Sequence, residues 1–186
     1  MANTLMDHYK RSKLAANDTS LDNCLRVTHH MLKKAKYCFL VTQGDKGWCN
    51  TRLVQPIIDV DENNPNNFKI WVGTRLDLRK VEEIWNNPKV TLAFEDSRED
   101  ANLVVYGNAF VESNVQIKQN YWRATWKLFF PDGPKSDDYI AIRIEPTRLE
   151  VLNFKRKITP KPFGLRAAKL IQNNGEWQTD KLSEQA

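Results

Sequence analysis

Apolar positions near the start of the chain change their period from three or four residues to two. Over residues 21–36, apolar and small residues recur at helical spacing and three lysines stand near the end, which predicts a helix. Residues 37–42 form an aromatic and β-branched run, residues 44–47 are typical of a turn, and residues 48–60 continue as an extended segment. This order predicts a helix followed by a β-hairpin.

The rest of the chain alternates short strands with helices, after a loop of turn-forming residues at 61–67. Further strands are predicted at 68–73, 90–94, 103–112, 139–144 and 148–154, and further helices at 76–85, 113–129 and 165–172. The helix at 113–129 would begin with a capping box, because Gln116 stands three residues after Ser113. Many short strands joined by hairpins and short helices favour a closed antiparallel sheet, since closure removes exposed edges.

Length and composition fit one globular domain. The chain has 186 residues, of which 41% are hydrophobic and 27% charged, as in ordinary soluble proteins. The order of the predicted elements and the distribution of charge predict an N-terminal segment at 1–20, a domain at 21–154 and a basic C-terminal extension at 155–186.

The chain shows no targeting or disulfide signal. No apolar run approaches the roughly 20 residues of a membrane helix, and the first 20 residues mix charges with short apolar stretches, unlike a signal peptide. We therefore expect no membrane contact and a cytoplasmic location. The three cysteines are odd in number and form no C-x-x-C pair, which argues against a disulfide framework or a zinc ribbon.

The net charge of +5 suggests an anionic partner, either nucleic acid or a phosphorylated ligand. The charge is uneven, because residues 151–175 hold six lysines and arginines and no acidic residue. A solvated basic tail explains this stretch equally well. Both interpretations stay open at this point.

Several kinds of catalytic site lack their residues. The histidines are His8, His29 and His30, and the adjacent pair points about 100° apart on a helix, so we expect no metal site. Nothing supports a Ser-His-Asp or Cys-His arrangement. The seven glycines are too few and too separated for a glycine-rich phosphate loop.

Basic residues offer a different kind of phosphate site. Arg52 lies inside a predicted strand, where a charge needs a partner. Thr74 ends another strand, and Arg79 and Lys80 follow at the start of a helix. Cations at a helix N-terminus do not favour the helix, but with a threonine hydroxyl they form a socket for a phosphate. The alternative is a solvated helix start with charged side chains.

Aromatic residues form a stripe at helical spacing over Trp122, Trp126, Phe129 and Phe130. Most stripes of this kind belong to a hydrophobic core. The alternative is a surface that stacks on a planar ring or contacts a second subunit.

Taken in order, short motifs along residues 21–154 resemble the pyridoxamine 5′-phosphate oxidase-like split barrel, and in particular its general-stress-protein branch. The motifs are Cys38–Thr42, Asn50–Ile57, Ile70–Thr74, Leu78–Lys80, Asn87–Phe94, Tyr106–Val111, Tyr121–Trp122, Phe130–Pro134 and Arg143–Pro146. The resemblance implies a mainly β fold, a six- to seven-stranded antiparallel Greek-key split β-barrel with flanking helices. It also implies a homodimer that holds flavin mononucleotide (FMN) at the subunit interface.

The resemblance also implies roles for particular residues. Arg52 and the strand around it would line the cofactor, and Thr74, Arg79 and Lys80 would bind its phosphate. The last three are the residues of the socket inferred from spacing.

Other positions are implied to contact the rest of the cofactor. The backbone of Leu53 and Val54 would lie against the isoalloxazine ring, and Trp122 would pack near the cofactor or the partner subunit. Leu78 stands where the family often has a serine, which removes one phosphate ligand. Asn102 is the nearest candidate for a glutamine-type contact of the family.

The function expected from the resemblance is an FMN-dependent oxidoreductase of unassigned substrate. Pyridoxamine 5′-phosphate oxidases carry an arginine and a histidine near the C-terminus, whereas this chain has no histidine after residue 30, so that activity is not expected. A second hypothesis is a non-enzymatic flavin-binding stress protein. A nucleic-acid-binding protein is less favoured, because 23 acidic residues dilute the basic ones and no nucleic-acid motif occurs.

Overall fold

Nine strands and three α-helices make up the described part of the chain, residues 17–160 and 166–180 of a computed structural model. The helices are α1 (Leu21–Lys34), α2 (Arg79–Asn86) and α3 (Val115–Asn120). The strands are β1 (Cys38–Gln43), β2 (Cys49–Val54), β3 (Pro56–Val60), β4 (Phe68–Arg75), β5 (Lys89–Asp96), β6 (Ala101–Glu112), β7 (Tyr139–Asn153), β8 (Ala168–Asn173) and β9 (Glu176–Thr179). Within these residues, no helix is long and apolar enough to cross a membrane.

The strands form one sheet in the order β2-β1-β5-β6-β7-β4-β3, with β8 beside β7 and β9 beside β8. The pairs β1–β2, β1–β5, β3–β4, β4–β7, β7–β8 and β8–β9 are all antiparallel. Because β2 and β3 stand at the two ends of this order, the sheet is open, and the closed sheet expected from the short strands is wrong in that respect. The predicted antiparallel, mainly β class is confirmed.

The chain divides into two units. One comprises residues 1–35, 94–105 and 148–186, and the other residues 36–93 and 106–147. One boundary lies between α1 and β1, and the other three fall within β5, β6 and β7. The domain and extension predicted at 21–154 and 155–186 stay predictions. Residues 1–16, with His8, and Leu165, near the start of a predicted helix, lie outside the described residues.

The first unit is built around α1. Ser20 caps this helix by accepting a hydrogen bond from the backbone of Asn23, and Lys33 and Lys34 complement the dipole at its other end. The apolar residues predicted at helical spacing form its buried face, which includes Leu25 and Met31.

The second unit contains the strands around which the candidate site is built. β1 pairs with both β2 and β5, β4 pairs with β3 and β7, and α2 contacts β1. Five of the eight residues of β4 are buried and the other three are half-buried, and Ile70 is fully buried. This sheet therefore gives α2 and the end of β4 a rigid support.

The predicted helix at 113–129 is wrong. The helix is α3 alone, and its cap is Asn114, whose side chain accepts hydrogen bonds from the backbones of Gln116 and Ile117. After a break at residues 121–123, a 3-10 turn follows at Ala124–Leu128. Tertiary packing overrides the helical spacing here, because Tyr121 stacks on Trp71 and Trp126 packs against Gly73, both on β4.

Two other predictions at the C-terminal side are corrected. The strands predicted at 139–144 and 148–154 are one strand, β7, which continues through Pro146. Gly107 allows the backbone of β6 to lie close to β7 beside Pro146, since a Cβ at residue 107 would lie 2.3 Å from the carbonyl oxygen of Glu145.

The helix predicted at 165–172 is a strand, β8. Ala168 and Leu170 are buried at alternate positions, which is a period of two. The turn that follows contains Asn174 and Gly175, both with positive φ (50° and 84°), and joins β8 to β9 as a tight hairpin. An Asn-Gly pair is the strongest short hairpin signal in a sequence, and the prediction overlooked it.

Candidate functional site

The end of β4 and the start of α2 bring together a hydroxyl and two cations. Thr74 lies near the end of β4 and is buried, and α2 begins with Arg79 and Lys80. The helix therefore starts three residues later than predicted from position 76. Its N-cap residue, Leu78, provides no side-chain hydrogen bond. The first backbone N–H groups of α2 thus depend on other partners.

Lys80 is held against the strand. Its Nζ donates a hydrogen bond to Thr74 Oγ1 over 2.9 Å. Burial lowers the pKa of Lys80, and the positive charge of Arg52 lowers it further, which outweighs the opposite influence of Glu83 and Asp77. Among the described residues, no carboxylate lies within ion-pair distance of Lys80. Lys80 is therefore a partly desolvated cation that forms no direct ion pair within the described part of the chain.

Arg52 does find the partner that its place inside a strand requires. Its Nη2 forms an ion pair with Glu83 Oε2 at 2.8 Å, and its Nη1 donates to Thr42 Oγ1 on the neighbouring strand. Only 19% of the Arg52 side chain is exposed. The guanidinium is thus fixed between β1 and α2.

Glu83 joins several of these groups. Its carboxylate accepts hydrogen bonds from Thr42, Asn50 and Arg52 and forms an ion pair with Arg79, while only 8% of its side chain is exposed. Burial acts to raise the pKa of Glu83, but the hydrogen bonds from Thr42, Arg52 and Asn50 outweigh it and keep the pKa below its ordinary value. Glu83 is therefore a buried carboxylate that stays charged.

Arg79 contributes a more accessible cation. Its Nε lies 3.1 Å from Glu83 Oε1, one helical turn further along α2, and 69% of its side chain is exposed. The guanidinium is oriented from one side and open to solvent on the other. Arg79 also lines an open cleft of about 690 Å³ beside the β1–β2 turn, together with Trp48 and Asn50.

Leu53 and Val54 point to opposite faces of β2, as successive residues of a strand must. Val54 is buried, whereas 57% of Leu53 is exposed. Leu53 pairs with Phe39 on β1, which is 51% exposed. These two side chains form an apolar patch on the same face of the hairpin.

The remaining two predicted residues lie elsewhere. Trp122 packs edge-on against Phe130 and Tyr139, with ring centroids 6.0 Å and 5.1 Å apart, and is partly buried against the cluster that they form with Trp126. Phe129 is 65% exposed and is not part of this cluster. Asn102 is a half-buried residue of β6 in the first unit, whereas the other predicted site residues are in the second.

Sequence reasoning thus located the cations but missed the carboxylate between them. The structure brings Arg52, Arg79 and Lys80 to the surroundings of one acid, Glu83. The i, i+4 spacing of Arg79 and Glu83 was a readable signal for that ion pair. The contact with Arg52 depends on which strand packs against α2 and had no local signal.

Comparison with known proteins identifies the fold. No protein among the curated sequences matches the chain significantly. A protein from Clostridium acetobutylicum related to general stress protein 26, of the pyridoxinephosphate oxidase family, is 19% identical with a TM-score of 0.60, over 86% of this chain and 95% of that one. A pyridoxamine 5′-phosphate oxidase-related, FMN-binding protein from Nostoc punctiforme is 15% identical with a TM-score of 0.62, over 88% of this chain and 98% of that one.

A third similar structure is PhzG from Burkholderia lata, solved in complex with tetrahydrophenazine-1-carboxylic acid. It is 13% identical with a TM-score of 0.59, over 89% of this chain and 91% of that one. These likenesses confirm the predicted split-barrel fold class. The model of the family described as "pyridoxamine 5′-phosphate oxidase like" matches residues 24–174, which is most of the chain. The chain therefore belongs to the pyridoxamine 5′-phosphate oxidase-like family.

Proposed function

We propose that this protein binds FMN and that Thr74, Arg79 and Lys80 hold its phosphate. The observation that carries the proposal is the state of Lys80. It is partly buried, its pKa is lowered chiefly by burial and then by Arg52, and it donates to a neutral hydroxyl. A phosphate beside Lys80 would supply the missing negative charge and would also accept from Arg79.

The residues present fit the other parts of the cofactor as well. An apolar, half-exposed strand side chain such as Leu53 suits contact with a planar ring, and the adjacent backbone of Val54 supplies polar groups. Arg52 is fixed in the same strand and adds positive charge. Membership of the family, and the FMN-binding description of the protein from Nostoc punctiforme, support this assignment.

We further propose that the protein is an oxidoreductase whose substrate is unassigned. When bound, a flavin supplies hydride and electron transfer, so the chain itself needs to bind, orient and shield the ring. Pyridoxamine 5′-phosphate oxidation is not proposed, because no histidine follows residue 30. A non-enzymatic stress protein is the second candidate, favoured by the likeness to a relative of general stress protein 26.

A homodimer is part of the proposal. Phe39 and Leu53 are directly paired across β1 and β2, and each exposes more than half of its side chain. Paired apolar side chains on an exposed strand face are costly to leave in water and suit an interface with a second copy. Sedimentation velocity should give a dimer, and Leu53→Glu with Phe39→Glu should give a folded monomer. A wild-type monomer at micromolar concentration would exclude the dimer.

The first experiment is an absorbance titration with FMN, followed by gel filtration to remove unbound ligand. We expect the wild-type protein to retain the flavin spectrum and the Arg79→Ala/Lys80→Ala variant to lose it. Lys89→Ala is the matched control, because Lys89 is an exposed cation on β5. Riboflavin, which lacks the phosphate, should bind weakly to all three proteins.

The two outcomes separate cofactor binding from other roles. Failure of the wild-type protein to retain FMN at saturation would exclude the proposed function. If FMN is retained, reduction of the bound flavin by a nicotinamide donor and reoxidation by an acceptor would support an oxidoreductase. A retained flavin that no donor reduces would favour the non-enzymatic role.

A further inference from the structure

Glu83 is a buried acid at a site where an anion is expected to bind. Its carboxylate is charged, because its pKa is held below the ordinary value despite burial, and it faces Thr42, Asn50, Arg52 and Arg79. By Coulomb's law alone, a negative charge close to Arg79 and Lys80 weakens the attraction for a phosphate. The presence of this carboxylate therefore requires another explanation.

Its geometry supplies that explanation. One carboxylate oxygen is paired with Arg52 Nη2 and the other with Arg79 Nε, so a single side chain holds two guanidinium groups. Arg79 is long and otherwise exposed, and an unrestrained arginine loses rotamer freedom when it binds an anion. Among the described residues Arg79 has no other ion pair, so its terminal guanidinium nitrogens remain available to an anion.

We infer that Glu83 is a positioning residue for the phosphate of the bound nucleotide, acting through Arg79 and Arg52. The inference rests on the proposed function, since it concerns the same phosphate site. Glu83 does not itself touch the ligand. Its role is to order the cations before the ligand arrives, at the expense of some electrostatic attraction.

The charge of Glu83 and its contacts with the arginines predict opposite changes in the Kd for FMN when Glu83 is replaced by Gln. If only charge mattered, Glu83→Gln would remove a repulsive charge and lower the Kd for FMN. If Glu83 positions the arginines, the same variant raises the Kd, and we expect an increase of about tenfold. The Kd for riboflavin should change little, because riboflavin has no phosphate for the arginines to bind.

Glu82→Gln is the matched control. Glu82 precedes Glu83 on α2, is exposed and has no ion pair among the described residues. This variant removes the same charge from the same helix without disturbing a guanidinium. We expect it to lower the Kd for FMN slightly or leave it unchanged.

A double-mutant cycle with Arg79→Ala tests whether Glu83 influences FMN binding through Arg79. In the Arg79→Ala background, Glu83→Gln should raise the Kd by a clearly smaller factor than in the wild type, because one of its two targets is gone. Equal factors in both backgrounds would show that Glu83 does not act through Arg79. A general loss of stability would affect FMN and riboflavin alike and would not depend on Arg79.

Asn50→Ala keeps the test valid if Glu83→Gln fails to fold. It removes one hydrogen bond to Glu83 from a half-exposed residue and should raise the Kd for FMN by about two- to threefold. An unchanged Kd in this variant would overturn the inference in that case.

The outcomes for the two proposals are distinct. If wild-type protein does not bind FMN, the proposed function fails and the inference fails with it. If wild-type protein binds FMN and Glu83→Gln binds it equally well or more tightly, the inference alone is overturned. A raised ratio of the FMN Kd to the riboflavin Kd, confined to Glu83→Gln and absent from Glu82→Gln, supports it.

Discussion

Lys80 Nζ and Thr74 Oγ1 are 2.9 Å apart, and this contact joins the first turn of α2 to the end of β4. A lysine in such a place normally pairs with a carboxylate. Here it donates to a hydroxyl, and burial together with the positive charge of Arg52 lowers its pKa despite the opposite influence of Glu83 and Asp77. The arrangement leaves a desolvated ammonium group whose charge a bound anion would neutralise.

Removal of the Thr74 hydroxyl should weaken FMN binding. Thr74→Val preserves the shape of the side chain but removes the hydroxyl that accepts a hydrogen bond from Lys80. The ammonium group of Lys80 then loses its fixed position and a hydrogen bond that replaces one to water. We expect the Kd for FMN to rise by roughly three- to tenfold. Isothermal titration calorimetry measures the change, and Thr51→Val, at an exposed position of β2, is the control. Equal Kd values for Thr74→Val and wild type would show that this contact does not serve the ligand.

The affinity for FMN should fall as pH rises through the pKa of Lys80. Burial and Arg52 lower that pKa below the ordinary 10.5, so proton loss begins at lower pH than for an exposed lysine. FMN binds the protonated form, and complex formation therefore takes up protons in this range. The Kd for FMN, measured from pH 7 to pH 10, should therefore rise with pH. Lys80→Arg should flatten it, because arginine does not titrate there.

In the ligand-free protein, Lys80 should stabilise the folded state more as pH rises, whereas its contribution to FMN binding falls. A lysine whose pKa is lower in the folded state than in the unfolded state binds fewer protons when folded. Its contribution to the free energy of unfolding therefore increases as pH rises between the two pKa values. Chemical denaturation of wild type and Lys80→Met across that range isolates the contribution. A difference that is independent of pH would contradict the lowered pKa.

The proximity of the cations in the candidate site was predictable from sequence because its signal is local. Thr74, Arg79 and Lys80 lie within seven residues of a strand–helix junction, and such a junction has known chemistry. The signals for the strand predicted at 68–73 and for the hairpin predicted from 37–42 and 48–60 were equally local, since their β-branched and aromatic runs are bounded by turn residues. The structure has the first as β4, and it divides the segment at 48–60 into β2 and β3.

What the sequence did not reveal depends on contacts between distant segments. Glu83 is in reach of Arg52 only because α2 contacts β1, and no periodicity encodes that pairing. The helix predicted at 113–129 failed for a similar reason, because Trp126 packs against Gly73 on another strand. Helical spacing of aromatic residues was present, but tertiary packing decided the backbone.

A second buried acid, Glu99, should control stability in the first unit. Its carboxylate contacts Arg156, Asn153, His30 and Lys34, and only 3% of its side chain is exposed. The hydrogen bond from Arg156 is the largest cause that holds the pKa of Glu99 far below its usual range, against the opposing influence of burial. This stabilisation is complete above the unfolded-state pKa, near 4.5, and is lost as pH falls below it.

Glu99→Gln should therefore destabilise the protein by about 2–3 kcal/mol at pH 7, because it removes the counter-charge to which the half-buried Arg156 donates its hydrogen bonds. The difference from wild type should shrink as pH falls below 4.5, because Glu99 is then protonated in the unfolded chain before it is protonated in the folded protein. Urea denaturation at pH 7 and at acidic pH measures both values. Glu95→Gln, at an exposed position of β5, should change stability little at either pH. A pH-independent difference for Glu99→Gln would argue against the ion pair.

Gly73 should be essential for the packing of the Trp126 ring against β4. A Cβ at residue 73 would lie 2.2 Å from an atom of the Trp126 ring, which is too close for any side chain. On its other side, Trp126 Nε1 donates to Gln55 Oε1 over 2.9 Å, and Gln55 lies between β2 and β3. Gly73→Ala should displace the indole, break this hydrogen bond and cost about 1–3 kcal/mol of stability.

The cause of that loss can be tested with a double variant. Trp126→Ala removes the ring that the new methyl group would meet, so Gly73→Ala should cost much less in that background than in the wild type. Denaturant unfolding of the four proteins gives the coupling free energy. A red-shifted tryptophan emission in Gly73→Ala would report exposure of the displaced indole. Equal losses in both backgrounds would mean that Gly73 is required for the backbone of β4 itself and not for the close approach of Trp126.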